Sequence, residues 1–334
     1  KGMNLSKKRC TQAGFHVSSG VLALVLVFCV GIVFNPGLFL SHSNMQNILR
    51  QTVTNALLAY GMAFVIISGS IDLSVAATVA MSGYITVWLL PYSFALALAA
   101  AVLFGVAVGT INGYLIAKVK FPPMIATYSM QLMIKGLILV LTNGITLKIS
   151  TDSLIMKYLG HGMLFNLLPL GFVFLMAIFG ICAFSIRRIP IIRSVYAVGG
   201  NEDAARMMGI SVFKSRITAH IICSVLACLA GINVAARTGA ATAGAGDGYD
   251  MLAIASVVIG GISMSGGKGT FSGCMFGAMV VAILSNIFKL QNFLNAYWER
   301  AIIGIVLLAV LLIQALMNQE EIRGLIKKYR FREG

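Results

Sequence analysis

Long apolar runs, separated by short polar breaks, dominate the chain. A helix that crosses the hydrocarbon of a bilayer needs about 20 residues. On that ruler ten segments qualify: 18–38, 45–68, 73–90, 93–117, 124–141, 167–186, 213–236, 251–263, 270–288 and 296–317. The eighth is too short for a straight crossing. Its glycine-rich flanks, 244–248 and Gly260-Gly261, predict a broken or re-entrant segment. The expected fold class is all-α: a polytopic membrane protein of about ten transmembrane helices, with a membrane body over 18–317 between two short tails, 1–17 and 318–334.

One polar island stands out, AVGGNEDAARMMGIS at 197–211. Gly199 and Gly200 are expected to break the preceding segment. Asn201 is a good N-cap, because its side-chain oxygen can accept from an orphan backbone N–H. Glu202 and Asp203 fall in the first turn, where the helix dipole favours anions. Ala204, Ala205, Met207 and Met208 propagate the helix, and Gly209 ends it as a C′ glycine. Two turns are too few to be stable alone in water, so this helix has to dock on something. Two readings are open. One is an amphipathic helix resting on lipid headgroups. The other is a knob for a cytosolic partner, with Ala204, Ala205, Met207 and Met208 in apolar contact and Glu202 or Asp203 answering basic residues.

Composition agrees with the membrane reading. The chain is 59% hydrophobic and 10% charged, with a mean hydropathy of +0.92, whereas soluble domains carry about 25% charged residues. The formal charge of +15 is a matter of topology. With the N-terminus inside, 18 of the 25 Lys and Arg fall in cytoplasmic segments, including Arg187, Arg188, Arg193, Lys214 and Arg216 around the polar island. Six fall outside and Lys135 lies within a span, as the positive-inside rule requires. Basic residues spread over short loops form no groove-facing stripe, which excludes a nucleic-acid partner. Trp88 with Tyr92, and Tyr297 with Trp298, sit at predicted outer interfaces. The six cysteines have neither zinc-type spacing nor a disulfide framework and read as small buried hydrophobes. Lys7–Arg9 before an apolar run resembles a signal peptide, but Asn35-Pro36-Gly37 offers no small-residue cleavage site, so a retained first helix is expected.

A faint internal echo links Ile71-Asp72-Leu73 to Tyr249-Asp250-Met251, and Asn112 to Asn286. The matched halves begin at the second and seventh spans, so they run in opposite senses, the pattern of an inverted repeat. No catalytic constellation is visible. His16, His42, His161 and His220 stand apart, none at ligand spacing from a cysteine or carboxylate. The string from Gly261 to Thr270 fails the phosphate-loop pattern, since Lys268 comes one place late and glycine follows it. A tight turn between spans is the expected structure there. Within the membrane region, Asp72 is either a cap for the next helix, assisted by Ser74, or a path residue. Lys135 is too far from either span end to snorkel easily and is expected inside the bundle. Asn112, Gln131 and Asn55 are embedded amides, suited to interhelical hydrogen bonds.

Five strings, SGSIDLSVAA, GTINGYLIAKVKFPPMIAT, YAVGGNEDAARMMGISV, DGYDMLAIASVVIGGISMSGGKGTFSG and AYWERAIIGIVLLAV, occur here in order. Together, from about Asn47 to Leu316, the chain resembles the ribose/galactose-type permeases of bacterial ABC importers. The resemblance implies a type II importer permease with ten membrane helices in the bacterial inner membrane, and the charge asymmetry places both termini in the cytoplasm. It implies pairing with a second permease subunit, docking on a cytosolic ABC ATPase and delivery of solute by an extracytoplasmic sugar-binding protein. No cofactor is then expected in this chain, with ATP and Mg on the ATPase, and the polar island (198–210) would match the family's coupling helix at Gly200, Asn201, Glu202, Ala204, Ala205 and Gly209. Asp72, Asn112, Gln131, Lys135 and Asn286 are the expected lining of the translocation path. The chain departs from the family at Tyr128-Ser129 and at Leu252, where a carboxylate is usual. A proton-driven secondary transporter, with Asp72 or Lys135 as relay, is the reading from another class. A third keeps the ABC mechanism with a nucleoside, autoinducer or branched-chain amino acid as solute.

Overall fold

The structure, a computed structural model, describes residues 20–150, 153, 155–290, 298, 301–302, 304–305, 307–309 and 312. Both tails and most of the tenth predicted span lie outside the described residues. Each of the first nine spans coincides with a helix: α1 (Gly20–Phe34) with the short α2 (Pro36–Phe39), α3 (His42–Ile67), α4 (Val75–Leu89), α5 (Phe94–Ala117), α6 (Pro123–Thr142), α7 (Leu170–Arg188), α10 (Val212–Thr238), α11 (Tyr249–Ile259) and α12 (Phe271–Leu290). Between α7 and α10 lie α8 (Pro190–Gly200) and α9 (Glu202–Met207). By length and composition α5, α6, α7, α10 and α12 can each cross a bilayer. The eighth span is the short one, as its glycine flanks predict: α11 has only 11 residues.

α3 is the centre of the bundle. Every residue from Thr52 to Ile67 is buried, the polar Thr52, Thr54 and Asn55 among them. It packs on α11 and α12, while α10 packs on α4 and α5; α4 also packs on α5, and α11 on α12. Exchanging α3 with α10, α4 with α11 and α5 with α12 maps each of these pairings onto another. The faint sequence echo therefore has a counterpart in the packing. Both short members, α4 and α11, follow irregular chain that contains a left-handed glycine, Gly69 (φ +79°) and Gly248 (φ +86°).

α5 packs closely on α10. Gly105, Gly109 and Gly113 recur every four residues on one face of α5, which allows the backbones to approach. A Cβ at Gly109 would stand 2.5 Å from Ile221 Cα, and one at Gly113 would stand 2.7 Å from Ile217 Cα. At the end of α10 remote from α9, β4 (Ala240–Ala241) pairs antiparallel with β1 (Leu147–Lys148). A π-helical turn (Met156–Gly160) and the small pair β2 (Met163–Leu164) and β3 (Leu168–Pro169) complete this end.

Candidate functional site

The polar island builds a hairpin of α8, α9 and α10. Asn201 caps α9 as its side chain predicts: Oδ1 accepts from the Ala204 N–H at 2.9 Å. Gly209 takes φ +77°. Its N–H donates to Arg206 O, and the Ile210 N–H donates to Ala205 O, both at 3.0 Å, which is a Schellman ending. α8 ends at the glycine pair as expected from the sequence, but at Gly200, with Gly199 still helical. Gly199 is needed for close approach. A Cβ there would overlap the Ile67 carbonyl oxygen at the end of α3, the same oxygen that accepts from the Gly267 N–H at 2.9 Å. The string that fails as a phosphate loop is thus a tight turn, and it wedges between α8 and α3.

Ala205 is fully buried against Val198 and Val212, so its expected apolar contact with a partner does not hold. Met207 and Met208 are 89% and 69% exposed, with Ala204 and Asp203 also on the outside. Glu202 likewise looks inward. It accepts from Lys120 Nζ at 3.1 Å, from Arg206 at 2.9 Å and from Arg216 at 2.7 Å. Burial would raise the Glu202 carboxyl, but the hydrogen bond from Lys120 and the charges of Arg216 and Arg206 outweigh that effect and hold it below the ordinary carboxylate range. This tie is fully present above the ordinary carboxylate value and is lost only as pH falls through the lowered one. Glu202 therefore fastens α9 to α10 and to the α5–α6 turn.

The sequence-predicted path residues divide. Asp72 and Asn112 are fully buried, one carboxylate joining three elements. Asp72 Oδ1 accepts from the Ser74 N–H (3.0 Å) and the Ser74 hydroxyl (2.5 Å). Asn112 Nδ2, on α5, donates to Ser74 Oγ at 2.9 Å. Asp72 Oδ2 meets His220 Nδ1, on α10, at 3.0 Å, and His220 Nε2 lies 3.2 Å from Ser70 Oγ. The helix-start role with Ser74 is present; the histidine is what the sequence did not show. His220 is 148 positions from Asp72, a separation at which spacing carries no signal. Asn286 and Asn44 exchange amide hydrogen bonds at 2.8 and 3.0 Å, inside the α3–α12 contact. Asp72, Asn112 and Asn286 thus lie buried within the bundle.

Lys135 and Gln131 differ. Lys135 Nζ donates to Asp247 Oδ1 at 2.7 Å, with the two side chains 41% and 46% exposed. Gln131, one turn earlier on the same face of α6, has a buried side-chain oxygen without a protein partner. Asp247 sits in the glycine-rich approach to α11, and that setting was the available signal for it. Among the described residues no cluster of histidine, cysteine and carboxylate groups could hold a metal ion. The described cysteines are free; four are buried, and Cys29 is exposed.

Residues 44–311 match the family described as "Branched-chain amino acid transport system / permease component". The chain belongs to this permease family. It is 34% identical over 311 residues to the ribose import permease protein of Escherichia coli K12, covering 91% of this chain and 95% of that protein. An autoinducer 2 import system permease protein of Enterobacter sp. is 33% identical, over 95% of this chain and 92% of that protein. An L-arabinose ABC transporter permease protein of Azospirillum brasilense is 32% identical, over 90% and 88%. No solved structure matches this permease. Members of the family are multi-pass membrane subunits that carry solute and are not enzymes, so no catalytic residue is assigned.

Proposed function

We propose that the chain is the membrane subunit of an ATP-driven importer for a monosaccharide, and that α9 is its docking helix for a cytosolic ABC ATPase. The observation that carries this reading is the presentation of α9. A short helix is capped at both ends and fastened from beneath through Glu202, yet it holds Met207 and Met208 out into solvent. Helix-in-groove recognition uses such anchors. ATP and Mg belong to the partner ATPase. A second permease subunit completes the path, an extracytoplasmic sugar-binding protein supplies solute, and both termini are cytoplasmic in the inner membrane. The ribose and arabinose permeases among the relatives support the substrate class.

The path is proposed to run past α6. Ionisable groups inside a membrane face a bundle interior or a water-filled cavity, and the half-exposed Lys135–Asp247 pair with Gln131 meets that description. Lys135→Ala is expected to lower uptake at least tenfold at unchanged membrane abundance. Exchanging the charges, Lys135→Asp with Asp247→Lys, should restore part of it. A lysine that merely snorkels would give native uptake in both variants.

The proton-driven alternative gains one observation, the Asp72–His220 pair, but both groups are fully buried. Proteoliposomes decide between the two. Radiolabelled ribose, supplied with its binding protein, should enter only when the ATPase and ATP are present. Uptake by the purified chain alone under a pH gradient would overturn the importer reading.

A further inference from the structure

Two of the contacts that hold the α8–α9–α10 hairpin against the bundle lead to the same turn. On one side, Gly199 of α8 packs onto Ile67 O, and Gly266 and Gly267 crowd Gly69 and Gly200. Ser70 follows immediately. On the other side, His220 lies eight residues into α10, about 12 Å along that helix from its start beside α9. There its ring bridges Ser70 Oγ and Asp72 Oδ2. The turn from Ser70 to Ser74 therefore closes a mechanical loop with the docking helix. Beyond it the turn leads directly into α4, and α4 packs on α6, the helix of Lys135.

The bond at the centre of this loop has few intermediate states. Asp72 and His220 are both fully buried. A carboxylate held in low dielectric by N–H and O–H donors is costly to leave partly satisfied. Packed cores respond to a small displacement by switching between discrete arrangements. A shift of α9 that travels along α10 to His220 therefore carries the Ser70–Ser74 turn with it or breaks the bond.

We propose that the Asp72–His220 bond is the joint through which movement of the docking helix is delivered to α4 and onward to the path. Asp72 and His220 are then positioning residues for transport, and neither touches solute. This inference rests on α9 docking the ATPase.

The test is the number of ATP hydrolysed per solute imported, in proteoliposomes holding the chain with its ATPase and binding protein and loaded with radiolabelled ribose. Asp72→Asn keeps the shape and removes the anionic acceptor. His220→Asn keeps an N–H donor near the place of Nδ1. Asp72→Asn is expected to assemble with the ATPase and hydrolyse ATP within about twofold of native, while uptake falls at least tenfold and the ATP-to-solute ratio rises by the same factor. His220→Asn should recover at least a third of native coupling. A merely structural role predicts that hydrolysis, uptake and thermal stability decline together at an unchanged ratio, and that result would overturn the joint. Failure of both variants to assemble would make the bond a folding contact and overturn it equally. Should Met207→Glu, which lies on α9, keep its ATPase, the docking reading has failed rather than the joint.

Discussion

Met207→Glu is expected to reach the membrane at native abundance, lose its ATPase on purification and cease to take up solute. Met207 is 89% exposed and touches no core, so the substitution leaves the fold alone. In a partner's groove the new carboxylate would have to be desolvated without a counter-charge, which costs about 3 kcal/mol. That corresponds to roughly a hundredfold weaker docking. Ala205→Glu must behave differently. Its carboxylate would enter the small core of Val198 and Val212, displace α9 from the hairpin and lower the melting temperature as well. A pull-down at matched membrane abundance, with thermal stability recorded for both variants, separates loss of a contact from loss of the element. If α9 only rests on lipid headgroups, Met207→Glu keeps both partner and uptake.

The second large effect concerns the packing of α5 on α10. Gly109→Leu is expected to prevent the native bundle from forming. Its Cβ alone would meet the backbone of His220 and Ile221 at 2.5–2.6 Å, and that backbone cannot yield as a flexible side chain would. Overpacking a tight contact costs about 1–3 kcal/mol, more where backbone is struck. Here it would also shift His220 from Asp72 and Asn112 from Ser74. The expected result is a much lowered melting temperature in detergent and loss of monodisperse protein. Gly136→Leu, on α6 where a Cβ meets nothing within 4 Å, should leave both unchanged and serves as the control.

Much of this protein is legible without coordinates, and the reason is that those features are set by local transfer free energies. Each apolar run from the first to the ninth span is a helix because a backbone in hydrocarbon must satisfy its own hydrogen bonds. The short eighth helix follows from its glycine flanks. The Asn201 cap and the Gly209 ending depend on a few consecutive residues and were fully readable. Lys135, expected inside the bundle because no span end lies within reach, instead has a side chain 41% exposed and paired with Asp247.

What tertiary structure alone decided is which polar groups meet and which faces remain open. Asp72 and His220 are in contact across 148 positions, Asn44 and Asn286 across 242, and Lys135 and Asp247 across 112. No period or spacing connects such pairs, because their proximity is set by how α3, α6, α10, α12 and the turns before α4 and α11 come together. The same holds for α9. Composition assigns its alanines and methionines to one apolar face, but packing against Val198 and Val212 turns Ala205 inward and leaves Met207 and Met208 exposed. Helix formation answers to the chemistry of neighbours along the chain, whereas pairing and exposure answer to neighbours in space.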